Sequence, residues 1–257
     1  MQKDEKTSRR YIYYPNVNSS ITIYKNSRVQ FENGTYNALV DEDCGFFMRH
    51  SGFQTKACRI DMKSPFEKIG IVFKPLGLNH FITESLENIE KNSENGQFNF
   101  FQPSINTTIE RLFETEDRAK KVQLLDDYFL SKLRIFSENN LIKAVNKIME
   151  SDKKQSVTEL SAYLGINRKT LLRLFRTHIG CSAKEFITIA QFRKALTYYM
   201  LSATKPLLTD LSLSMNYYDQ SEFNNQFKKI TGNSPKKMLQ KIKRMDCNSK
   251  LFWYVLD

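Results

Sequence analysis

The spacing of hydrophobic positions changes along the chain from a strand-like to a helix-like pattern. Up to about residue 75, short runs rich in aromatic and β-branched residues are separated by Asn, Gly, Ser, Asp and Pro, as in strands joined by turns. The runs are "YIYY" (11–14), "SITIY" (20–24), "TYNALV" (35–40), "CGFFMR" (44–49), "FQTKACRIDM" (53–62) and "KIGIVFKP" (68–75). Strands at these intervals predict a small barrel or a double-sheet roll.

A helical period replaces this pattern from "NTTIERLFETED" onwards. Hydrophobic residues recur every three or four positions from Val122 to Phe136, a stripe that fits either packing onto the sheet or a dimer contact. The break "SENN" (137–140) marks a domain boundary. We therefore predict an α+β protein: a mostly-β barrel or roll with trailing helices at 1–139, an all-α domain at 140–246, and an apolar tail at 247–257 that packs on a neighbouring surface.

The helical part contains an internal repeat. "FRTHIGCSAKEF" (175–186) and "FKKITGNSPKKM" (227–238) share one pattern, and "LSAYLGINRKTL" (160–171) parallels "LSLSMNYYDQSEF" (211–223). Each copy predicts a helix, a tight turn and a second helix that stops at a glycine, with Gly165 and Asn216 at the turns, where φ > 0 is needed. These are two helix-turn-helix units, joined by one long helix at 182–201. Such a pair can place two recognition helices about 34 Å apart, in successive major grooves.

Charge separates the same two parts. The net charge is +11, yet residues 1–139 hold 19 Lys and Arg against 19 Asp and Glu, whereas residues 140–257 hold 20 against 9. A positive charge confined to one part indicates a nucleic-acid or acidic-membrane partner for that part. A basic surface that only maintains solubility is the alternative.

The sequence lacks the signature motifs of several other classes of protein. The four cysteines form no C-x-x-C pair, the three histidines form no H-x-H pair, and no phosphate-binding glycine motif or nucleophile motif is present. We therefore expect free thiols, no metal, no cofactor and no enzymatic activity. No apolar run is long enough to span a bilayer and no signal peptide is visible, so a cytoplasmic location without membrane contact is expected.

The predicted second helix of the first unit has a basic outer face. Its inner face carries Leu171, Leu174 and Phe175, which leaves five candidate DNA contacts outside: Arg168, Lys169, Leu172, Arg173 and Arg176. Arg and Lys bind guanine edges, and an apolar side chain contacts the thymine methyl group. A merely solvated basic face is the alternative, but an outward leucine fits a groove better.

The second unit has a polar, uncharged candidate face. Its predicted contacts are Gln220, Ser221, Asn224 and Asn225, since Gln and Asn suit the adenine edge. Asp219 or Ser221 could instead serve as the N-cap of the helix. The nearby lysines are predicted to contact phosphate: Lys228, Lys229, Lys236 and Lys237.

Residues 140–243 resemble the DNA-binding domain of AraC-type transcriptional regulators. The similarity lies in "VTELSAYLGINRKTLLRLFRTHIGCSAKEFI" and "LTDLSLSMNYYDQSEFNNQFKKITGNSPKKML", above all in the F-x-x-x-F-K-x-x-x-G-x-S-P stretch from Phe223 to Pro235. The chain departs from the family at Gln191, usually Arg, at Ser212, usually Ala, at 216–217, usually Gly-Phe, and at Met238, usually aromatic.

The resemblance implies a role for each half. Lys169, Leu172 and Arg173 would contact base edges, with Arg168 and Arg176 nearer phosphates. The segment "IGIVFKPLGLNHFI" is similar to a turn in the sensor domains of this family, which implies an effector-binding or dimer-forming module at 1–139. The expected function is therefore a sequence-specific regulator that binds double-stranded DNA and the transcription machinery, with a small-molecule effector and a homodimer left open. The alternatives are a protein that grips phosphates without specificity and a barrel enzyme with a tethered DNA-binding domain.

Overall fold

The computed structural model describes residues 2–4, 9–63, 65–151, 153–214, 217, 219–244 and 252–255. Among these residues, the first part of the chain forms eight strands: β1 Gln2–Asp4, β2 Arg9–Tyr13, β3 Ser19–Lys25, β4 Ser27–Glu32, β5 Thr35–Val40, β6 Phe46–Ser51, β7 Cys58–Met62 and β8 Phe66–Phe73. Three helices follow: α1 Leu86–Lys91, α2 Asn106–Glu114 and α3 Arg118–Lys132. Two short strands near the end of the chain are β9 Lys243–Arg244 and β10 Phe252–Val255.

The strands form two sheets. One has four strands in the order β1-β8-β3-β6, all antiparallel. The other has six strands in the order β4-β5-β7-β2-β10-β9, in which only β5 and β7 run parallel. This arrangement confirms the predicted β-rich first part with trailing helices. Of the two predicted forms, a barrel or a double-sheet roll, the structure has two sheets.

Two cores stabilise the sheets. Alternation along β3 turns Ile21 and Ile23 to one face and Tyr24 to the other. The face with Tyr24 packs against Ala38 and Met62 of the six-stranded sheet. The opposite face packs against helices α2 and α3, where Ile109, Leu112, Leu124 and Tyr128 are buried. The four-stranded sheet is therefore the central layer between the second sheet and the helices.

The described residues of the C-terminal part form seven helices. They are α4 Asn139–Glu150, α5 Val157–Leu164, α6 Arg168–Ile179, α7 Ala183–Leu201, α8 Leu208–Ser214, α9 Gln220–Thr231 and α10 Pro235–Lys241. Their common core contains residues from every one of these helices, and it also takes in Tyr14 and Val17 from the β2–β3 segment. The predicted all-α part with two helix-turn-helix units and a long joining helix is confirmed. Its buried core extends into the sheet-forming part.

The structure differs from the sequence prediction in two places. The pattern missed β4, in which Val29 and Phe31 are the two apolar residues among polar and charged ones. The stripe from Val122 to Phe136 is wrong at its ends, since α3 stops at Lys132 and both Val122 and Leu133 are exposed. The inner face of α3 instead carries Leu124 and Tyr128, one helical turn apart. Val122 lies two positions before Leu124 and therefore on nearly the opposite side of the helix.

Parts of the predicted tail and turn lie outside the described residues, namely 216, 247–251 and 256–257. The described segment Phe252–Val255 pairs with β2 and β9, so this stretch completes the six-stranded sheet. No helix in the described ranges is long and apolar enough to cross a membrane.

Candidate nucleic-acid interface

The turn of the first unit is fixed by caps on both helices. Ser156 and Glu159 form a capping box at the start of α5: Ser156 Oγ accepts from the backbone N–H of Glu159 at 3.1 Å, and the Glu159 carboxylate accepts from that of Ser156 at 2.7 Å. Gly165 ends α5 at φ +64°, as predicted. Asn167 then caps α6 by accepting from the N–H of Thr170 at 2.8 Å.

Packing on one side of α6 decides which side chains face outward. Leu171, Leu174 and Phe175 are buried. The Phe175 ring packs edge-on against the ring of Phe186 in α7, with the two centroids 5.5 Å apart. Among the predicted contacts, Arg168, Lys169, Arg173 and Arg176 are exposed and Leu172 is half-buried. The basic face of α6 is therefore presented to solvent.

The four basic residues of α6 have different surroundings. Arg168 donates from Nη2 to Thr158 Oγ1 at 2.7 Å, which ties the start of α6 to α5. Arg176 instead faces α1. The Lys91 side chain lowers the pKa of Glu87 through a hydrogen bond and its charge, and Arg176 adds to this effect. Lys169 and Arg173 have no hydrogen bond or ion pair to other described residues, so these two are the cations of α6 most available to a ligand.

The second unit repeats this design with a different cap. Asp219 Oδ1 accepts from the N–H of Glu222 at 2.7 Å, so Asp219 is the N-cap of α9 and Ser221 is not. Phe223 and Phe227 form the buried face, with ring centroids 4.5 Å apart. On the other side Gln220, Ser221 and Asn225 are exposed and Asn224 is half-buried. Capping by Asp219 leaves the Ser221 hydroxyl on the predicted contact face.

The predicted phosphate contacts lie at the end of this unit. Lys228 and Lys229 are exposed in the last turn of α9, where a positive charge is also favoured by the helix dipole. Lys236 and Lys237 are exposed in the first turn of α10, whose N-cap Ser234 accepts from the N–H of Lys237 at 3.4 Å. All four lysines are therefore accessible.

Helix α7 holds the two units in one arrangement. Phe186 near its start contacts Phe175 of α6. Further along the helix, Phe192 contacts Phe227 of α9, with the two ring centroids 5.0 Å apart. Gln191 and Arg193 are also buried in α7, and burial lowers the pKa of Arg193 to about 10. Because both recognition helices pack on the same helix, neither moves without disturbing this core.

The sheet-forming part touches the ends of both recognition helices, a feature that the sequence did not reveal. Asn79 donates from Nδ2 to the carbonyl of His178 at 3.0 Å, at the end of α6. The N–H of Ala57 donates to the carbonyl of Ile230 at 2.7 Å, at the end of α9. The ring of Phe53 stacks on the ring of Phe186, with the two centroids 5.9 Å apart. These contacts join residues far apart in the chain, and short-range periodicity carries no signal of them.

No group of three or more His, Cys, Asp or Glu side chains suited to a metal occurs within the described ranges. Cys44, Cys58 and Cys181 are free thiols, and Cys247 lies outside those ranges. Burial raises the pKa of Cys58 to about 11, which keeps its thiol protonated.

Comparison with known proteins agrees with this geometry. A family model described as a helix-turn-helix domain matches residues 160–241. The chain is 30% identical over 125 residues to the Msm operon regulatory protein of Streptococcus mutans serotype c; the match covers 46% of this chain and 44% of that protein, so the chain spans less than half of this relative's length.

Similar solved structures include two of ToxT from Vibrio cholerae. The protein of strain O395 has a TM-score of 0.48 at 10% identity, covering 92% of this chain and 94% of that one. The unsaturated fatty acid bound protein of strain SCE256 has a TM-score of 0.45 at 12% identity, covering 93% and 97%. With two capped helix-turn-helix units on one joining helix, and a family match over both, residues 160–241 of the chain form a helix-turn-helix domain.

Proposed function

We propose that the chain is a sequence-specific DNA-binding transcriptional regulator that reads successive major grooves with α6 and α9. The observation that carries this proposal is the pair of helix-turn-helix units on α7, each with an exposed polar or basic face opposite a buried apolar one. Regulation of an operon is also the role in the name of the relative from Streptococcus mutans. Such a protein acts on DNA in the bacterial cytoplasm and catalyses no reaction.

The two recognition helices have complementary roles in this proposal. Lys169, Leu172 and Arg173 read base edges from α6, and Gln220, Asn224 and Asn225 do so from α9, with Ser221 beside them. Arg168 and the four lysines at 228, 229, 236 and 237 contact phosphates, which position the domain without specifying sequence. Arg176 also belongs to the phosphate set, although its place beside α1 puts it at the edge of the surface.

The rest of the chain serves this domain. We propose that residues 1–139 form a regulatory module that takes a small-molecule effector or forms a homodimer, that 140–246 bind DNA and the transcription machinery, and that the tail at 247–257 anchors the end of the chain to the sheet. The pairing of Phe252–Val255 with β2 supports the role of the tail.

Selection from random duplexes separates specific reading from phosphate gripping. The purified chain is mixed with a random duplex library, and bound molecules are amplified and sequenced over several rounds. A specific reader enriches one motif made of two half-sites about one helical turn apart. Equal affinity for every sequence would instead establish a protein that grips phosphates only.

A further inference from the structure

A cleft of about 650 Å³ lies between the start of α7 and helix α9. Because α7 begins directly after α6, and α9 belongs to the second unit, this cleft separates the two helix-turn-helix units. Asn225, a proposed base contact of α9, is one of its lining residues. The cleft therefore borders the surface that the proposed function assigns to DNA.

The sheet-forming part supplies the third side of the cleft. Lys56 lies in the segment between β6 and β7, lines the cleft and is exposed. Shortly before it in the chain, the ring of Phe53 stacks on the ring of Phe186 in α7. Directly after it, Ala57 donates its backbone N–H to the carbonyl of Ile230 in α9 at 2.7 Å. Because the segment is held on both sides of Lys56, this lysine stays beside the two helical walls.

The charged groups of the cleft leave its cations available to a ligand. Ser182 donates from Oγ and from its backbone N–H to Oε2 of Glu185, at 2.7 and 2.8 Å. Lys154 donates from Nζ to Oε1 of Glu222 at 2.9 Å. Both carboxylates of the cleft are thus already bound. Its three exposed lysines have no hydrogen bond or ion pair to other described residues: Lys56, Lys184 and Lys229.

A duplex read by both units has to pass this cleft, because α6 and α9 would occupy major grooves about 34 Å apart. The backbone between those grooves carries one negative charge per roughly 1.7 Å of helix axis. Lysine is a compact point charge on a flexible stem, which suits a phosphate oxygen. A segment that obstructs the duplex would place apolar or acidic side chains here, whereas the exposed residues are Thr55 and Lys56.

We propose that Lys56 and Lys184 bind phosphates of the DNA backbone between the two half-sites, so that the sheet-forming part is itself part of the DNA interface. This inference rests on the proposed function and extends it, because the contacts named there all lie in residues 140–246. Lys229, already in the phosphate set, lines the same cleft from α9. The role of Lys56 is to position the duplex and not to select its sequence.

The salt dependence of binding tests this contact in the full chain. Fluorescence anisotropy with the selected duplex gives the logarithm of the affinity against the logarithm of the salt concentration, and each phosphate contact contributes about 0.9 to the slope. Lys56→Ala and Lys184→Ala should each lower the slope by about 0.9 and leave the preferred motif unchanged. Lys120→Ala removes the same charge from an exposed site on α3 and should keep the slope of the wild type.

Ethylation interference shows where along the duplex the contact falls. Ethylation removes the charge of a single phosphate, so ethylation of the phosphates that Lys56 binds should weaken binding of the wild type. The same positions, between the two half-sites, should no longer affect binding of Lys56→Ala. Interference confined to phosphates within the half-sites would contradict the proposed contact.

The outcomes separate this inference from the proposed function. If the wild type binds the selected duplex and Lys56→Ala keeps its slope, the contact of the sheet-forming part is overturned and the proposed function stands. Tighter binding by Lys56→Ala would overturn the contact as well, since the segment would then obstruct the duplex. A wild-type chain that binds no duplex would contradict the proposed function and this inference with it.

Discussion

At the scale of single residues, the structure divides the cations of α6 by their surroundings. Arg168 is held by Thr158 and Arg176 lies beside the acidic α1, whereas Arg173 is exposed and has no hydrogen bond or ion pair among the described residues. A side chain without partners in its own protein breaks no internal hydrogen bond or ion pair when it turns to a base edge. Arg173 is therefore the best single residue with which to test base reading.

Replacement of Arg173 by Ala should relax sequence preference at one base position, at a cost of about 1–3 kcal/mol for the preferred duplex. Lys229→Ala should weaken all duplexes alike and lower the salt dependence of binding, because a phosphate contact carries no sequence information. Fluorescence anisotropy with the selected duplex and single-base variants measures both. Lys120→Ala, at an exposed lysine of α3, controls for loss of charge. Uniform weakening by both test variants would refute the division of roles.

At the scale of elements, the sequence predicted where helices are capped and where they end, but it did not predict how distant elements pack together. Gly165, Gly180 and Gly232 all take positive φ at the ends of helices, as the repeat predicted. These signals are readable because each cap involves residues no more than about four positions apart. Strand β4 escaped detection because it has only two apolar residues, Val29 and Phe31, among polar and charged ones, and the pairing of β10 with β2 joins residues far apart in the chain.

The long joining helix α7 depends on a charged cap at its start. Hydrogen bonds from the hydroxyl and the N–H of Ser182 hold the pKa of Glu185 below its usual value of 4.5. A carboxylate with a depressed pKa contributes stability that is present above its unfolded pKa and is lost as the pH falls through its folded pKa. Helix α7 should therefore lose this contribution only below about pH 4.5.

Replacement of Glu185 by Gln should remove that part of the pH dependence. Urea unfolding followed by circular dichroism between about pH 6 and pH 3 should show the wild type losing more stability on acidification than the variant. Glu150→Gln, at an exposed glutamate at the end of α4, is the matched control and should follow the wild type. A Glu185→Gln profile parallel to that of the wild type would show that the cap contributes no pH-dependent stability.

At the scale of the whole molecule, the sheet-forming part and the helix-turn-helix part share buried surface. Tyr14 and Val17 belong to the core of the C-terminal helices, and Phe53 packs against that core from the segment after β6. Backbone and side-chain hydrogen bonds at Ala57 and Asn79 add contacts at the ends of α9 and α6. The regulatory module we propose is thus packed directly on the elements that it would control.

This shared surface should make unfolding of the chain a single cooperative transition. Replacement of Phe53 tests whether the contact between the two parts is what makes them unfold together. Phe53→Ala should cost about 2 kcal/mol, less than the 3–5 kcal/mol of a fully buried phenylalanine, because the ring is half-buried. Phe100→Ala is the matched control, since Phe100 is also half-buried but packs only on the core between the four-stranded sheet and its helices.

Both variants should lose stability, but only Phe53→Ala should separate the transition into two steps, because it weakens the contact between the parts and leaves the core within each part intact. Unfolding is followed by far-ultraviolet circular dichroism, dominated by the helices, and by fluorescence of Trp253, which lies in β10 of the six-stranded sheet. Coincident transitions in Phe53→Ala would show that other contacts, such as those of Tyr14, are enough to couple the two parts.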